Sequence, residues 1–309
     1  EVASLQDVGL RVRTIPEQGQ LAVEAAAGLL NNATVSAVET TASSLGFEPQ
    51  PVLTYLVNEI RHDDRVTPYS LVAALDLDLV SQTAGSDLSS PNSGVVLNQW
   101  TADDLEADVG DTLQLRYYVW EDEGRLVSRE TEVQVAEVVP IAGPANDRTL
   151  APDFPGITQA NDLVSWDPPF EIDLGLIRPL DEDYWDEYKT TPKAFISLTN
   201  GQDLWRSRWG GVTSIRLNTT GDLEADANRF GTALRSAVDP LSVGLVVYPA
   251  RAMALESSSG ATDFGLYFFY FSFFLVVSAL LLASLCFRLG IEQRLAEIGL
   301  LRATGFPPA

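Results

Sequence analysis

Few residues in this chain have the types and spacing that catalysis requires. The single histidine, His62, precedes Asp63 and Asp64, and an imidazole beside two carboxylates is a combination that binds metal ions. Because three adjacent ligands on one turn rarely converge on one ion, a solvated turn is the favoured interpretation. A phosphate-binding loop GxxxxGK[ST] is excluded, since both lysines, Lys189 and Lys193, lie in EYKTTPK. We therefore expect no catalytic residue, metal or cofactor here, and assign any ATP hydrolysis to another polypeptide.

Two further features could bind a ligand. Residues 181–187, DEDYWDE, could hold calcium or a basic partner, but they lack the DxDxDG spacing of EF-hand loops. A solvated acidic loop with Trp185 turned inward is the favoured interpretation. A set of six tryptophans could line a lipid- or sugar-binding surface, although core packing accounts for most tryptophans in β-rich domains. These are Trp100, Trp120, Trp166, Trp185, Trp205 and Trp209.

The composition excludes several classes of protein. The 309 residues include 43 acidic and 20 basic side chains, for a net charge of −23, which argues against nucleic-acid binding. One cysteine excludes an internal disulfide framework and a thiolate metal cage. A hydrophobic content of 46% is ample for a packed core.

The strongest physical signal is an apolar segment near the C-terminal end. Residues 266–287 are uncharged, and 22 residues of helix span about 33 Å, close to the ~30 Å hydrocarbon core of a bilayer. Tyr267 and Tyr270 lie near one end, where aromatic side chains favour the membrane interface. Ala279 and Ala283 form a small-xxx-small pair that would let another helix pack closely. We predict one transmembrane helix over 263–289.

Charge predicts the orientation of this helix. Residues 1–263 carry 17 basic and 41 acidic side chains, whereas the remaining 46 residues carry three basic and two acidic ones. Because Arg288, Arg294 and Arg302 follow the apolar segment, the positive-inside rule places the C-terminal segment in the cytoplasm and the N-terminal domain outside. We also expect this chain to be a piece of a longer membrane protein whose export segment lies elsewhere.

The N-terminal domain, predicted over 1–262, has a mixed α+β pattern. Strands are predicted from the alternation of apolar and polar residues, and helices from 3.6-residue periodicity with caps. Between these elements we read residues 81–93 as a connector, 141–192 as a long loop and 250–263 as a stalk. The predicted strands are 5–13, 20–26, 52–60, 69–77, 112–120, 126–139, 193–198, 212–218 and 242–250, and the helices are 33–45, capped by Asn32 and Gly46, 201–207 and 223–239, capped by Asp222. The β–α–β order at both ends predicts a discontinuous subdomain with an insertion between its parts.

Residues 290–309 follow the predicted span and have a helical pattern. Ile291, Leu295 and Ile298 recur at i, i+4 and i+7, with charged residues around them. One interpretation is a stalk helix that continues the anchor. The other is a docking helix for a cytoplasmic partner. Periodicity alone does not separate the two.

The run from Phe287 to Phe306 resembles the segment after the second membrane helix of FtsX-like ABC transporter permeases. Its R-x-x-E-I-G-x-x-R-A-x-G core begins at Arg294 and ends at Gly305. Upstream, SLQDVGLRVR, PVLTYLVNEI, TPYSLVAALD, LNQW–GDTLQLRYYVW and YWDEYKTTPKAF are similar to the MacB-type periplasmic core. The resemblance covers essentially the whole chain.

This resemblance implies a fold, a location and a role. The fold is a porter-like α/β subdomain with an inserted β-rich one, followed by a transmembrane helix in the bacterial inner membrane. The role is that of a non-enzymatic permease subunit that forms a homo- or heterodimer and couples ATP hydrolysis by a cytoplasmic ABC ATPase subunit to motion of the exterior domain. The residues expected on the ATPase-coupling surface are Arg294, Glu297, Ile298, Leu301 and Arg302.

Two alternatives stay open at this stage. The chain could be a single-pass receptor or adhesin whose acidic ectodomain binds a ligand. Within the permease class, regulation of a cell-wall hydrolase is an alternative to export or lipoprotein release, and the sequence does not identify the cargo.

Overall fold

The computed structural model describes residues 4–81, 94–121, 123–154, 156–166, 172–219, 221–244, 246, 248–258 and 263–305. These residues have a mixed α/β structure that divides into two compact units, 1–246 and 247–309. The strands are β1 (Leu10–Ile15), β2 (Gln20–Ala25), β3 (Pro49–His62), β4 (Arg65–Leu75), β5 (Val95–Asn98), β6 (Thr112–Trp120), β7 (Leu126–Val139), β8 (Ala194–Ser197) and β9 (Ser214–Asn218). The helices are α1 (Asn32–Leu45), α2 (Asp78–Ser81), α3 (Gln99–Leu105), α4 (Pro179–Tyr188), α5 (Leu198–Trp205), α6 (Leu223–Ala237), α7 (Ala250–Ser258) and α8 (Phe264–Ala303).

Strand β3 joins two parts of the sheet in the first unit. Along one edge it pairs with β9 through Pro49–Val52 and then with β6 through Glu59–Arg61, while its other edge pairs with β4. The order β3-β4-β8-β5-β7-β6 therefore closes on itself as a barrel-like ring. Strands β9, β2 and β1 extend outward from the first part of β3.

Two helices cover one face of this extension. Side chains of α1 and α6 form one buried core with β1, β2 and β9, and the rings of Phe47 and Phe230 meet edge to face with centroids 5.9 Å apart. The core residues come from 10–47 and 212–238, so both ends of the unit build one layer and the ring is inserted between them. This agrees with the predicted discontinuous arrangement, although at the C-terminal end only β9 and α6 of the predicted β–α–β order form among the described residues.

The ring has its own core, closed at one side by α5. Tyr55 stacks on Trp205 with ring centroids 5.0 Å apart, and the edge of Tyr117 meets the same indole. Gly201 lets α5 approach β4, because a Cβ at this position would lie 2.2 Å from the Cβ of Ala74.

Local signals specify several elements. Helix α1 starts where Asn31, rather than the predicted Asn32, accepts a hydrogen bond from the Thr34 backbone nitrogen at 2.8 Å. It ends at Gly46, whose φ of 79° is the left-handed cap expected there. The hairpin of β6 and β7 pairs Thr112 with Gln134 and Trp120 with Leu126, and confirms the strands predicted at 112–120 and 126–139.

Three predictions are wrong. The acidic segment read as part of a loop over 141–192 is helix α4, which Pro179 starts and which buries Asp181. The strand predicted at 242–250 does not form in its described residues, where Pro240–Val243 is a 3-10 turn closed by Gly244. The first strand begins only at Leu10, because Gln6–Val8 forms a 3-10 turn. Of the predicted connector 81–93, all but the helical Ser81 lie outside the described residues.

The second unit contains α7 and α8. Residues read as a stalk form α7 over Ala250–Ser258, and α8 then runs without interruption for 40 residues, about 60 Å. It is the one described helix long and apolar enough to cross a membrane, with a mean hydropathy of 2.3 over its most apolar window. The predicted boundary between 289 and 290 is therefore not a break in the helix.

Candidate functional site

The five predicted coupling residues lie on one side of α8. Counted from Arg294 they fall at i, i+3, i+4, i+7 and i+8, the spacing of a single helical face. Ile298 and Leu301 are each about half exposed, and this face therefore presents apolar and charged groups together. Such a surface suits a partner with a complementary groove.

The apolar part of α8 has a second feature on the same side. We define the small-residue face as six of the eight small residues between 264 and 290: Gly265, Ser272, Ala279, Ala283, Cys286 and Gly290. The other two, Ser278 and Ser284, lie elsewhere around the helix. At about 100° per residue the six positions lie within an arc of about 80°. The arc also contains Arg294, Glu297 and Leu301, so the small-residue face leads directly into the coupling residues.

This alignment has a physical meaning in a membrane. Lipid tails are as apolar as leucine, so helices associate there through close packing of small residues rather than through the hydrophobic effect. Six of the eight small residues of this segment share one side of α8, which is the side on which another helix could pack closely. The sequence signal Ala279–Ala283 was thus part of a longer pattern, and projecting the whole 264–290 segment onto a helix would have found the rest.

The candidate metal ligands His62, Asp63 and Asp64 lie in and beside a turn between two strands. Asp63, with a φ of 48°, and Asp64 form the tight turn between β3 and β4. His62 Nδ1 lies 3.0 Å from the Leu105 carbonyl oxygen, and Nε2 lies 3.6 Å from an Asp111 carboxylate oxygen. Among the described residues no group of three or more histidine, cysteine, aspartate or glutamate side chains is placed to hold a metal ion.

The acidic segment is part of helix α4, and a largely buried charge network holds this helix in place. Arg178 donates to both Asp104 carboxylate oxygens, at 3.0 and 2.7 Å, and to Asp181, so it ties α4 to α3. Hydrogen bonding to Asp181 raises the pKa of Arg178. Burial raises the pKa of Asp181, but the hydrogen bond from Arg178 and the charge of Lys193 outweigh it and the pKa is lowered. The segment is therefore partly buried and structural rather than a solvated loop.

Lys193 completes this network from the first residue before β8. Its ammonium lies 3.6 Å from Asp181, 4.6 Å from the Trp100 ring centre and 5.0 Å from the Tyr184 ring centre. Burial lowers its pKa to about 8, against the opposing effect of Asp181. The sequence gives no sign of this cluster, because Lys193 is only the first residue of the predicted strand 193–198 and its partners Trp100, Asp181 and Tyr184 lie elsewhere in the chain.

Five of the six tryptophans divide into two groups, and the sixth, Trp100, is half-buried against Tyr184. Trp166, Trp185 and Trp205 are buried in the cores, which confirms the inward Trp185. Trp120 and Trp209 are exposed by 58% and 62%, and lie at the end of β6 and in the turn before β9. The six residues therefore do not form one binding surface.

Known proteins were compared with this chain. No protein-family model matches it, and a search of curated proteins found no match.

Proposed function

We propose that this chain is the permease subunit of an FtsX/MacB-type ABC system in a bacterial inner membrane. In this proposal the first unit is extracytoplasmic, α8 crosses the bilayer, and the end of α8 binds a cytoplasmic ATPase subunit. The chain itself carries no catalytic residue and works as a dimer. ATP hydrolysis by the partner moves α8, and this motion reaches the extracytoplasmic part.

The observation that carries the proposal is the continuity of α8. One helix contains both the apolar span and the R-x-x-E-I-G-x-x-R-A-x-G pattern, so force applied at its charged end acts on the span without an intervening loop. A helix is stiff along its axis because each residue is hydrogen-bonded to the next turn. The shared face of small and coupling residues supports a helix that packs against other subunits.

The fold of the first unit also supports the proposal. The unit has a helix-covered layer built from both of its ends, with a β-rich ring inserted between them. A discontinuous subdomain with a β-rich insertion is what the resemblance to the MacB-like group implies. The net charge of −24 on residues 1–263 and +1 on the rest supports an external first unit and a cytoplasmic end of α8.

Site-specific photocrosslinking tests the coupling surface. Benzoylphenylalanine replaces Ile298 in the full chain, and the matched control places it at Leu300, about 160° away around the same helix. We expect irradiation of native membranes to link position 298, but not 300, to a protein that contains a GxxxxGK[ST] loop. No such adduct from position 298, or equal adducts from both positions, would contradict the proposal and favour a single-pass receptor.

A further inference from the structure

A cavity of about 400 Å³ lies on the face of the sheet extension opposite α1 and α6. Its floor is formed by β2, β3 and β9, and its walls by the end of β4 with α2, by the 3-10 turns at 143–150 and by the start of α5. Volumes of this size hold small organic ligands.

The floor contains a buried arginine. Ile215 and Leu217 point into the helix-covered core, so strand alternation places the side chain of Arg216 on the cavity face. This side chain is only 2% exposed. Its Nη2 donates to the carbonyl and hydroxyl oxygens of Thr149, whereas Nε and Nη1 are buried without a hydrogen-bond partner.

Three of the five guanidinium donors are therefore unsatisfied. The nearest carboxylate, Asp147, has one oxygen 3.8 Å from Nη2, and its other oxygen accepts hydrogen bonds from Thr149. Burial lowers the pKa of Arg216 despite the charge of Asp147. Buried charged donors without acceptors are rare in folded proteins, and a bound water or ion is one of the standard explanations.

A second feature favours a negative ligand. Ser197, Leu198 and Thr199, the first turn of α5 and its cap, line the same cavity. The Ser197 hydroxyl already accepts from the Asn200 backbone nitrogen at 3.3 Å, and the dipole of α5 favours an anion at this end of the helix. Arg216 and the α5 terminus are thus the two features of the lining that favour a negative group.

The rest of the lining limits the ligand class. Asp76 and Asp147 also line the cavity, and they repel a doubly charged phosphate more than a single carboxylate. Leu77, Val80 and Leu150 are buried side chains that offer an apolar wall. We propose that this cavity binds a small organic carboxylate, with its charged group on Arg216 and its apolar body against this wall. The proposal concerns the first unit and does not depend on the permease assignment.

Calorimetric titration with 3-phenylpropanoate tests the proposal. The full chain is placed in lipid nanodiscs, empty nanodiscs give the blank, and 3-phenylpropanamide serves as the neutral analogue of the same shape. We expect saturable binding of the carboxylate and at least about tenfold weaker binding of the amide, since a charge-assisted hydrogen bond is lost. Equal binding of both, tighter binding of inorganic phosphate, or no binding of the carboxylate would overturn the proposal.

Variants locate the site. Arg216→Gln should weaken carboxylate binding at least tenfold, whereas Arg235→Gln, which removes an exposed arginine of α6, should leave it unchanged. Because Arg216→Gln alters a buried residue, a second variant, Thr199→Trp, fills the cavity from an exposed position and should also abolish binding. Undiminished binding in Thr199→Trp would overturn the assignment even if Arg216→Gln fails to fold.

Discussion

Because α5 packs closely against β4 at Gly201, the direction of the stability change caused by Gly201→Ala can be worked out from the structure. In the change Gly201→Ala, the added Cβ would lie 2.2 Å from the Cβ of Ala74 and 3.5 Å from the Trp205 ring. Carbon atoms pack favourably at about 3.5–4.0 Å, so helix and strand must separate by roughly 1.5 Å. Overpacking costs about 1–3 kcal/mol, and a contact as short as this one falls in the upper part of that range, about 2–3 kcal/mol. The better helix propensity of alanine returns about 1 kcal/mol. We expect a net loss of about 1–2 kcal/mol.

Thermal unfolding of the full chain in nanodiscs, followed by tryptophan fluorescence, measures this loss. A change of 1–2 kcal/mol corresponds to a fall in Tm of about 2–8 °C for a unit of this size. Gly231→Ala in α6 is the matched control, because its Cβ would meet only Leu5 Cδ1 at 3.8 Å, and it should raise Tm slightly. Adding Ala74→Gly to Gly201→Ala should restore much of the lost stability. A rise in Tm for Gly201→Ala equal to that of the control would refute the packing argument.

Three further changes test other parts of the structure. Burial lowers the pKa of Lys193 from 10.5 to about 8. Between these two pH values the unfolded chain therefore binds more protons than the folded chain, so this group makes the stability of the fold rise with pH from about 8 to 10. The Tm of wild type relative to Lys193→Met should therefore increase by about 3 °C or more between pH 7.5 and 9.5, and a flat difference would contradict the burial of the ammonium. Phe230→Ala should cost about 3–5 kcal/mol and lower Tm by roughly 6–20 °C, since the ring is fully buried beside Phe47, whereas a fall below about 2 °C would contradict the shared core. On a Cys286→Ser background, a membrane-impermeant maleimide should label Ser258→Cys but not Thr304→Cys in intact cells, and the reverse pattern would contradict the proposed orientation.

Elements with strong local signals were predictable. The alternating residues of β6 and β7 and the turn between them fix the hairpin register without help from the rest of the chain. Helix α1 has a side-chain cap, an apolar stripe and a terminal glycine, and only its first residue was misplaced. The apolar core of α8 follows from length and composition.

Elements held by tertiary contacts were not predictable. Helix α4 is polar along most of its length, and its inward carboxylate, Asp181, is stabilised by Arg178 and by Lys193, which follows it by 12 residues. Helix α3 was missed because it is seven residues long and is fixed by the Asn98 cap and by that same network. The pairing of β3 with both β9 and β6 joins strands far apart in the chain, which local periodicity does not encode.

The candidate site was predictable in part. The five coupling residues follow from a motif, but their common face with the small residues follows only from treating 264–303 as one uninterrupted helix. Arg216 was not singled out, because a lone arginine in VTSIRLN looks like an outward residue of an edge strand. Its burial depends on the 147–150 segment that covers this face.

The central claim is that the end of α8 recruits an ATPase. The most direct measurement is the ATP hydrolysis rate recovered when the full chain is affinity-purified from native membranes in mild detergent. The test variant Glu297→Arg with Ile298→Asp is matched by Glu292→Arg with Leu300→Asp, which makes the same charge changes on the opposite side of the helix. We predict that wild type and the matched variant bring down ATPase activity and that the test variant loses at least tenfold. Equal activity with both variants, or none with wild type, would contradict the claim.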